Sequence, residues 1–343
     1  MGVLSGGFLI AGEGLKLELK KAVEVGRHGV VLRSITSVCE DRQGNFYLLD
    51  RKAYRVYKFS PLGRLILSFG RRGKGPGDFA YPHHISCEAN GNVVVSEEVG
   101  FFSIFDGSGK FIRRIPARNG LGVIYINDEM FYGWHWKRDL KEQVFFNKEG
   151  RVFAIFFKIP VDSFSVTVTD KTGRSVMFNY FIPEYTPHFL FSMYDGLFAL
   201  GVSNEYDILL INRAGRFLGQ ITRKVEPPVI SSEEREILRK RIMKLERIPD
   251  FVRKKIAKKI PRHKNYFYRM LLCKNYLFLF RVPDNIEDKR IPVDVFTLSG
   301  RFLGTGTVTK IPAFVSDRYF YTVEEENEKL LLVKYAYKIR LRQ

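Results

Sequence analysis

The chain has 343 residues, of which 45% are hydrophobic and 14% aromatic, with 30 phenylalanines and 17 tyrosines. This composition excludes general disorder, favours strands over helices and allows a sizeable core. Lysine and arginine outnumber aspartate and glutamate by 56 to 37, which gives a formal charge of +19. Such a surplus predicts an anionic partner and leaves lipid, nucleic acid, acidic polysaccharide and acidic protein open.

The N-terminal region carries no clear targeting signal. Residues 1–12 are glycine-rich and mildly apolar, but they have no basic segment and are too short for a complete signal peptide. We interpret residues 1–14 as a tail or as the remnant of a leader, and the compartment stays open. No apolar run reaches the roughly 18 residues that a membrane-spanning helix needs.

Three cysteines are too few for a disulfide scaffold. Cys39 and Cys87 occupy matching repeats, but Cys39 stands five residues before Gly44 and Cys87 stands four residues before Gly91. Because side chains alternate along a strand, the two cysteines should point to opposite sheet faces. We therefore expect no bridge between them, and we expect all three thiols, Cys273 included, to be buried in the core.

The first half of the chain contains two copies of a four-stranded unit. Residues 15–25 alternate loosely and predict a strand ahead of the first complete copy. Turn residues and apolar runs then predict short antiparallel strands, at 35–40, 46–49, 54–60 and 65–69 in the first copy and at 82–87, 93–96, 102–105 and 111–115 in the second. Gly44 and Gly91 are 47 residues apart, and Gly63 and Gly109 are 46 apart. A four-stranded unit of this length is typical of a β-propeller.

The connector between the two copies, residues 69–82, reads FGRRGKGPGDFAYP. Its glycines and basic residues fit a phosphate cradle. The repeat spacing favours a second interpretation, in which glycine supplies the backbone freedom needed to pass from one blade to the next.

The later copies are less regular but keep the same rhythm. They are predicted at residues 124–157, 189–222, 266–307 and 314–337, with an inserted hairpin at 161–180. The sixth copy lacks its last strand, and residues 15–25 could supply it, which would close the ring and cover the open edge. Five copies keep a turn that begins with a small polar residue and ends in glycine, at 60–63, 106–109, 147–150, 212–215 and 297–300.

Residues 227–264 break this pattern and predict two helices. Ser231 with Glu234 fits a capping box, apolar residues follow at helical spacing, and Pro249-Asp250 begins the second helix. Residues 231–264 hold thirteen lysines and arginines against five acidic residues. The predicted architecture is all-β: one six-bladed propeller over residues 15–343, with this helical insert between blades four and five.

The first two copies resemble the NHL repeat. The residues that carry the resemblance are Asp41-x-x-Gly44-Asn45-x-Tyr47-x-x-Asp50, then Arg55-Val56-x-x-Phe59-x-x-x-Gly63, then Phe69-Gly70-x-x-Gly73-x-Gly75-Pro76-Gly77-x-Phe79-x-x-Pro82. More narrowly, residues 32–115 look like bacterial six-bladed propellers related to NHL domains, many of them exported and functionally undefined. The resemblance implies a disc around a central channel, with ligands met on one face or at the channel mouth. Such a fold does not determine the function.

Histidines at predicted strand starts suggest a metal site. A related family, the peptidyl-hydroxyglycine amidating lyases, binds zinc with histidines that follow proline at such positions. The resemblance makes His83 and His188 candidate ligands, with His135 as the third, since zinc takes three or four ligands. The alternative is that these histidines only form a polar rim.

Other residues are candidates for direct ligand contact. Trp134 and Trp136 share a strand face and could stack on a sugar or base if exposed, or belong to the core of blade three if buried. His84 should lie near the channel mouth, and Arg51 and Arg55 should sit in the loop between the second and third strands of the first copy. The resemblance implies a structural role for Arg55, because arginine forks satisfy turn carbonyls and carboxylates.

The basic helices are the strongest candidates for contact with an anion. They could bind lipid headgroups, polysaccharide or RNA, and they could form an amphipathic lid with a solvated charged face; the two interpretations are compatible. Phe251 is nearly the only aromatic residue there, which disfavours stacking on single-stranded RNA. The candidate contacts are Arg239, Arg241, Lys244, Lys254, Lys255, Lys258 and Lys259.

We expect a non-catalytic, monomeric binding or scaffold propeller without a cofactor, whose partner is a protein or an anionic ligand such as a polysaccharide or a membrane surface. RNA is a less favoured partner. No GxSxG, HExxH, Walker A or paired CxxC motif is present. Two alternatives remain: a lyase or hydrolase that uses a divalent metal such as zinc at the channel mouth, and a carbohydrate-binding propeller.

Overall fold

The computed structural model describes residues 8–12, 15–98, 100–116, 124–127, 129–137, 139–163, 165–169, 171–285 and 288–341. Six antiparallel sheets form the blades of a β-propeller, as predicted. Short strands rich in phenylalanine, tyrosine, valine and isoleucine build these blades, since such side chains pack well on a pleated surface. None of the described helices is long and apolar enough to cross a bilayer.

Two strands precede the blades, namely β1 (Phe8–Gly12) and β2 (Leu15–Val25). Blade 1 consists of β3 (Ile35–Glu40), β4 (Phe46–Asp50), β5 (Arg55–Phe59) and β6 (Leu65–Phe69). Blade 2 consists of β7 (Pro82–Cys87), β8 (Val93–Glu97), β9 (Phe101–Phe105) and β10 (Phe111–Pro116). Blade 3 consists of β11 (Ile124–Asn127), β12 (Met130–Lys137), β13 (Leu140–Phe146) and β14 (Val152–Pro160).

The less regular half begins with a short 3-10 helix (Val161–Ser163) and the hairpin of β15 (Ser165–Thr169) and β16 (Ser175–Asn179). Blade 4 consists of β17 (Phe189–Tyr194), β18 (Leu197–Val202), β19 (Asp207–Asn212) and β20 (Phe217–Thr222), and the helices are α1 (Ser232–Met243) and α2 (Asp250–Lys258). Blade 5 consists of β21 (Phe267–Leu272), β22 (Tyr276–Arg281), β23 (Ile291–Thr297) and β24 (Phe302–Val308). Blade 6 holds β25 (Phe314–Val315), β26 (Tyr319–Glu326) and β27 (Lys329–Leu341).

Both ends of the described chain meet in blade 6. Strand β2 pairs antiparallel with β27 along its whole length, from Leu15 opposite Leu341 to Val25 opposite Leu332. Within the segment interpreted as a tail, β1 adds a further strand on the outer side of β2. The pairing covers an edge that would otherwise be open to other chains.

The recurring glycine turns show why the repeat needs its small polar residue. In all five turns, the glycine N–H donates to the carbonyl of the first turn residue at 2.9–3.0 Å. The side chain of that first residue accepts an N–H from the residue after the glycine, as Asp106 does from Lys110 at 3.0 Å and Asn212 from Arg216 at 2.9 Å. The five glycines have φ between 74° and 86°, a left-handed conformation that favours glycine.

We call the side that carries these turns the lower face, and the side where the inner strands begin, at Pro82, Phe189 and Phe267, the upper face. Each blade packs on the next through a separate apolar cluster. Successive side chains of a strand therefore enter different clusters, one on each side of the blade.

This stacking corrects the prediction for the cysteines, because Cys39 and Cys87 form a disulfide bond. The alternation was right, since the two cysteines point to opposite faces of their own sheets. The conclusion was wrong, because neighbouring blades meet through opposite faces. Cys39 points from β3 towards blade 2, Cys87 points from β7 towards blade 1, and their Cα atoms are 5.7 Å apart. Cys273 is a buried free thiol, as expected.

The glycine-rich connector is folded upon itself and leaves little room for a phosphate. The Gly75 N–H donates to the Asp78 carboxylate at 3.1 Å, and Arg71 pairs with the same carboxylate at 2.7 Å. At Gly70, φ is 84°, and a Cβ there would lie 2.1 Å from a ring carbon of Phe79. Its basic and amide groups thus hold the link between blades 1 and 2, which supports the second interpretation of the connector.

Candidate functional site

The lower mouth of the central channel is bridged by side chains. Arg42, in the inner turn of blade 1, pairs with Asp195 of blade 4 at 3.3 Å. Beside them, the Tyr194 hydroxyl donates to Asp317 of blade 6 at 3.2 Å. Because blades 1 and 4 lie opposite each other in a six-bladed ring, the Arg42–Asp195 pair crosses the axis. The open functional surface is therefore to be sought on the upper face.

Both insertions belong to the upper face and pack on each other. Val166 of β15 shares an apolar cluster with Ile242 of α1 and with Val252 and Ile256 of α2. Lys259, just after α2, donates to the carbonyls of Asp162 and Ser165 at 2.8 and 3.2 Å. The hairpin and the helical insert, residues 227–264, thus form one layer above blades 4 and 5.

Helix α1 begins as predicted, but its capping box is incomplete. The Ser231 hydroxyl accepts the N–H of Glu234 at 3.1 Å. The Glu234 carboxylate does not return to the cap: it pairs with Lys264 at 2.7 Å and accepts the Tyr185 hydroxyl at 2.8 Å. This carboxylate is drawn inward because Lys264 is fully buried and needs an anion to compensate its charge.

The buried pair ties the base of the insert to blade 5. Besides Glu234, the Lys264 ammonium donates to the carbonyls of Pro283 and Asp284 at 3.0 and 2.6 Å. Burial and the neighbouring Glu234 carboxylate raise the pKa of Tyr185 above its ordinary value, so its hydroxyl remains a donor. The insert is therefore held by a satisfied polar network as well as by apolar contacts.

A cavity of about 480 Å³ lies between the insert and the propeller. The hairpin stem, the loop before β17, the inner sides of both helices and the chain leaving the insert form its walls. Apolar and polar groups both line it, with Leu238 and Ile242 of α1 facing Thr186 and Asn265 of the propeller. Sequence reasoning missed this cavity, because its walls come from segments that are far apart in the chain.

The thirteen cations of residues 231–264 divide into two groups. Arg235, Arg253 and Lys264 are not exposed, and they donate to backbone carbonyls of the insert and of blade 5. The other ten are exposed and are accompanied by four exposed acidic residues, Glu233, Glu236, Glu246 and Asp250. The solvent-facing surplus of the insert is therefore six.

All seven predicted anion contacts lie in the exposed group. Arg239 has Glu236 at 3.8 Å, and Lys254 has Asp250 at 2.7 Å, so these two cations already have acidic neighbours on their own helices. Lys259 holds the hairpin, as described above. In the part of the chain that the structure describes, the other four form no ion pair: they are Arg241, Lys244, Lys255 and Lys258.

The histidines do not converge. Both ring nitrogens of His188 face backbone carbonyls, Nδ1 that of Thr186 at 3.0 Å and Nε2 that of Tyr268 at 3.2 Å. His135 lies on β12 with Nδ1 3.6 Å from Glu142. Among the described residues, no three histidine, cysteine, aspartate or glutamate side chains are grouped to hold a metal ion.

His83 and His84 are neighbours on β7 with different surroundings. Burial lowers the pKa of His83, which feels the charges of Glu98 and Arg51 on the upper face. Burial, with the charges of His83 and Arg269, lowers the pKa of His84 to about 3. Since Arg269 belongs to blade 5, opposite blade 2, His84 points into the channel. Both rings are uncharged at neutral pH.

The two tryptophans flank a lysine of their own blade. The Lys141 ammonium lies 4.4 Å from the Trp134 ring centroid and 5.8 Å from that of Trp136. Trp136 is 45% exposed, and Trp134 is half-buried. The indoles do share a face, but Lys141 covers part of the surface that a sugar ring would stack on.

Arg51, between β4 and β5, and Arg55, the first residue of β5, both have local partners. Arg51 pairs with Glu98 of blade 2 at 2.8 Å, and Arg55 donates to Ser68 of its own blade at 3.2 Å. These contacts join strands and neighbouring blades, which favours the structural interpretation for both.

Comparison with known proteins supports the fold. No family model and no curated protein matches the chain. A DUF4221-family protein of Bacteroides vulgatus ATCC 8482 aligns with a TM-score of 0.52 and 13% identity, over 96% of this chain and 99% of that one. A protein of Bacteroides fragilis NCTC 9343 named as exported aligns with a TM-score of 0.52 and 11% identity, over 96% of each chain. A streptogramin B lyase aligns with a TM-score of 0.41 and 10% identity, over 96% and 98%, which is too distant for a comparison of sites.

Proposed function

We propose that the protein is a binding propeller whose helical insert contacts an anionic partner on the upper face. The observation that carries this proposal is the solvent-facing surplus of six positive charges on one compact layer. Among the described residues, four of these cations form no ion pair and are therefore available to phosphate, sulfate or carboxylate groups: Arg241, Lys244, Lys255 and Lys258.

The charges of the insert have a matched counterpart on the other side of the molecule. One exposed cation follows the glycine of each recurring turn on the lower face, namely Arg64, Lys110, Arg151, Arg216 and Arg301. Any four of them carry the same charge as the four insert cations named above, but they are spread around the rim. Binding by net charge alone would not distinguish the two faces, whereas binding at the insert would.

The test compares two variants that lose the same number of positive charges on opposite faces of the molecule. The insert variant replaces Arg241, Lys244, Lys255 and Lys258 with glutamine, and the rim variant replaces Arg64, Lys110, Arg216 and Arg301. Heparin retention, co-sedimentation with vesicles containing anionic lipid, and RNA gel shifts are measured at low salt.

We expect binding to at least one of these ligands, a steep decrease as salt rises, and a loss in the insert variant only. Absence of binding to all three ligands, or equal losses in the two variants, would refute the proposal.

The two alternatives have less support. For a metal-dependent lyase or hydrolase, His188 would have to release two carbonyl contacts and His135 would have to leave Glu142. For a carbohydrate-binding propeller, a sugar would have to displace Lys141 from Trp134. Metal analysis of the purified protein and a glycan array separate these functions from anion binding.

We also propose that the chain acts outside the cytoplasm. The Cys39–Cys87 bridge requires an oxidising environment to form and persist. The Bacteroides fragilis protein of similar fold is named as exported. Cell fractionation followed by thiol labelling checks this point, since a cytoplasmic protein with reduced Cys39 and Cys87 would contradict it.

A further inference from the structure

The cavity beneath the helical insert has the size of a ligand site. Its volume of about 480 Å³ falls within the range of roughly 300–1,000 Å³ of small-molecule sites. It lies where a repeat array meets an insertion, so its shape is not a by-product of blade packing. Its walls are built from separate parts of the chain, which hold it open from several sides.

One part of the cavity is apolar. Leu238, Ile242 and Ile256 line it from the helices, and Ile182 and Ile260 line it from the hairpin stem and the end of the insert. These side chains belong to the two apolar clusters that hold the insert together. An apolar ligand body that leaves water for this part of the cavity gains the hydrophobic free energy of burying its own surface.

The charged side chains that line the cavity are predominantly basic. Lys259, Arg262 and Lys264 line it, with Asp162 as the acidic residue among the described lining residues. Lys264 is saturated by Glu234 and two carbonyls, and Lys259 donates to two carbonyls. Arg262 is exposed, and its guanidinium forms no ion pair among the described residues. It is therefore the cation left for a ligand.

We propose that this cavity binds a small amphipathic acid, with its apolar body against the isoleucines and leucine and its carboxylate or phosphate head at Arg262. The inference rests on the proposed function in one respect, since both assign an anionic ligand to the insert. It goes further because the ligand is a single small molecule enclosed under the insert, not a surface bound from outside.

The test compares three probes with the same chain and different heads: decanoate, decylamine and 1-decanol. Binding is measured by isothermal titration calorimetry and by the shift of the thermal unfolding midpoint. We expect decanoate to bind saturably at one site and to raise the midpoint. Decylamine and decanol should bind at least about tenfold more weakly, because a charge-assisted hydrogen bond to Arg262 is lost.

Two variants locate the site without disturbing the core. Asn204 is exposed and lines the cavity, so Asn204→Trp should block it and abolish decanoate binding. Arg262→Gln should weaken decanoate by about tenfold, whereas Arg247→Gln, an exposed position outside the cavity lining, should not. Equal binding of the three probes, absence of decanoate binding, or an unchanged affinity in Asn204→Trp would overturn the proposal.

Heparin and vesicle binding of Asn204→Trp separates the two proposals. If retention persists while decanoate binding is lost, the cavity and the outer surface are distinct sites, as we infer. If decanoate fails to bind the unmodified protein and heparin still binds, the cavity proposal falls and the proposed function stands. If decanoate binds and the insert variant keeps its heparin binding, the proposed function falls instead.

Discussion

The disulfide between blades 1 and 2 allows a quantitative test of the blade geometry. Cys39 and Cys87 lie on the inner strands of adjacent blades and are 48 residues apart in sequence. The perturbation is the double variant Cys39→Ala/Cys87→Ala. It removes the crosslink without introducing a polar group into the cluster that the two side chains contact.

The magnitude follows from the length of the closed loop. Closing a loop of 48 residues removes about 14 cal/mol/K from the unfolded chain, or about 4 kcal/mol at 25 °C. An unfolding entropy of about 2.1 cal/mol/K per residue gives about 0.7 kcal/mol/K for 343 residues. The thermal midpoint of the double variant should therefore fall by about 6 °C.

The assays are thermal unfolding, which gives the midpoint, and urea unfolding, which gives the free energy of unfolding, of the unmodified protein and of the double variant, each with and without dithiothreitol. Reductant should destabilise the unmodified protein about as much as the double substitution does, and it should leave the double variant unchanged. Cys273→Ala is the control, because this thiol is buried and free and its variant keeps the bridge. A loss below about 1 kcal/mol, or a reductant effect in the double variant, would refute the reasoning.

Three further changes test other parts of the fold by urea unfolding. Gly70→Ala should lower the free energy of unfolding by about 3 kcal/mol, because its Cβ would meet an aromatic ring at 2.1 Å. Gly91→Ala is the control: its φ is 88° but the space around it is open, so the loss should be only about 1–2 kcal/mol. Lys264→Met should cost about 3–5 kcal/mol by leaving Glu234 buried without its partner, and adding Glu234→Gln should recover part of the loss. His84 takes up a proton near its ordinary pKa of about 6.5 in the unfolded chain but only near pH 3 in the folded protein. The free energy of unfolding should therefore decrease as the pH is lowered below about 6.5, by as much as about 2 kcal/mol at pH 5. His84→Gln should flatten that part of the profile, and an unchanged profile would contradict the assignment.

The sequence was sufficient for the fold because local chemistry repeats along the chain. Each recurring turn needs a small polar side chain to accept an N–H and a glycine with positive φ, so these two residue types mark the turns at the blade spacing. The strands between them follow from apolar alternation. The hairpin was predicted because its two strands are extra to the blade spacing, and the helical insert because its apolar residues change from a period of two to a period of about 3.6.

The disulfide could not be predicted from one blade taken alone. Alternation within β3 and β7 was read correctly, but the pairing depends on how two sheets stack. In a propeller, each blade packs with one sheet face on the preceding blade and with the opposite sheet face on the following blade. Two cysteines that point to opposite faces of their own sheets, at neighbouring positions of adjacent blades, can therefore meet between the blades. The one-residue offset that argued against the bridge is what brings Cys39 and Cys87 together.

The site was predicted less well because its contacts are between distant segments. Lys264 is one of thirteen cations in the sequence of the insert, and nothing local separates it from its neighbours. Only the fold brings Glu234 and Tyr185 to it and makes it structural. Likewise, the Pro-His strand starts placed His84 near the channel mouth, but they gave no indication that both ring nitrogens of His188 face backbone carbonyls.

The bonds that attach the insert to the propeller affect how it would bind an anionic partner. At its base, the Ile230 N–H donates to the Arg262 carbonyl at 3.0 Å, and the Lys264 N–H donates to that of Pro228 at 2.7 Å. With the buried ion pair and the apolar contacts of both helices, these bonds hold the backbone that carries the cations of the insert in a fixed arrangement. A basic tail without structure would lose conformational entropy on binding, whereas a fixed array has already lost it on folding. The same rigidity keeps the cavity beneath the helices open, so the surface above and the chamber below depend on one set of contacts. Breaking the ion pair should therefore impair both, while substitutions at the exposed cations or at the cavity rim should impair one and spare the other.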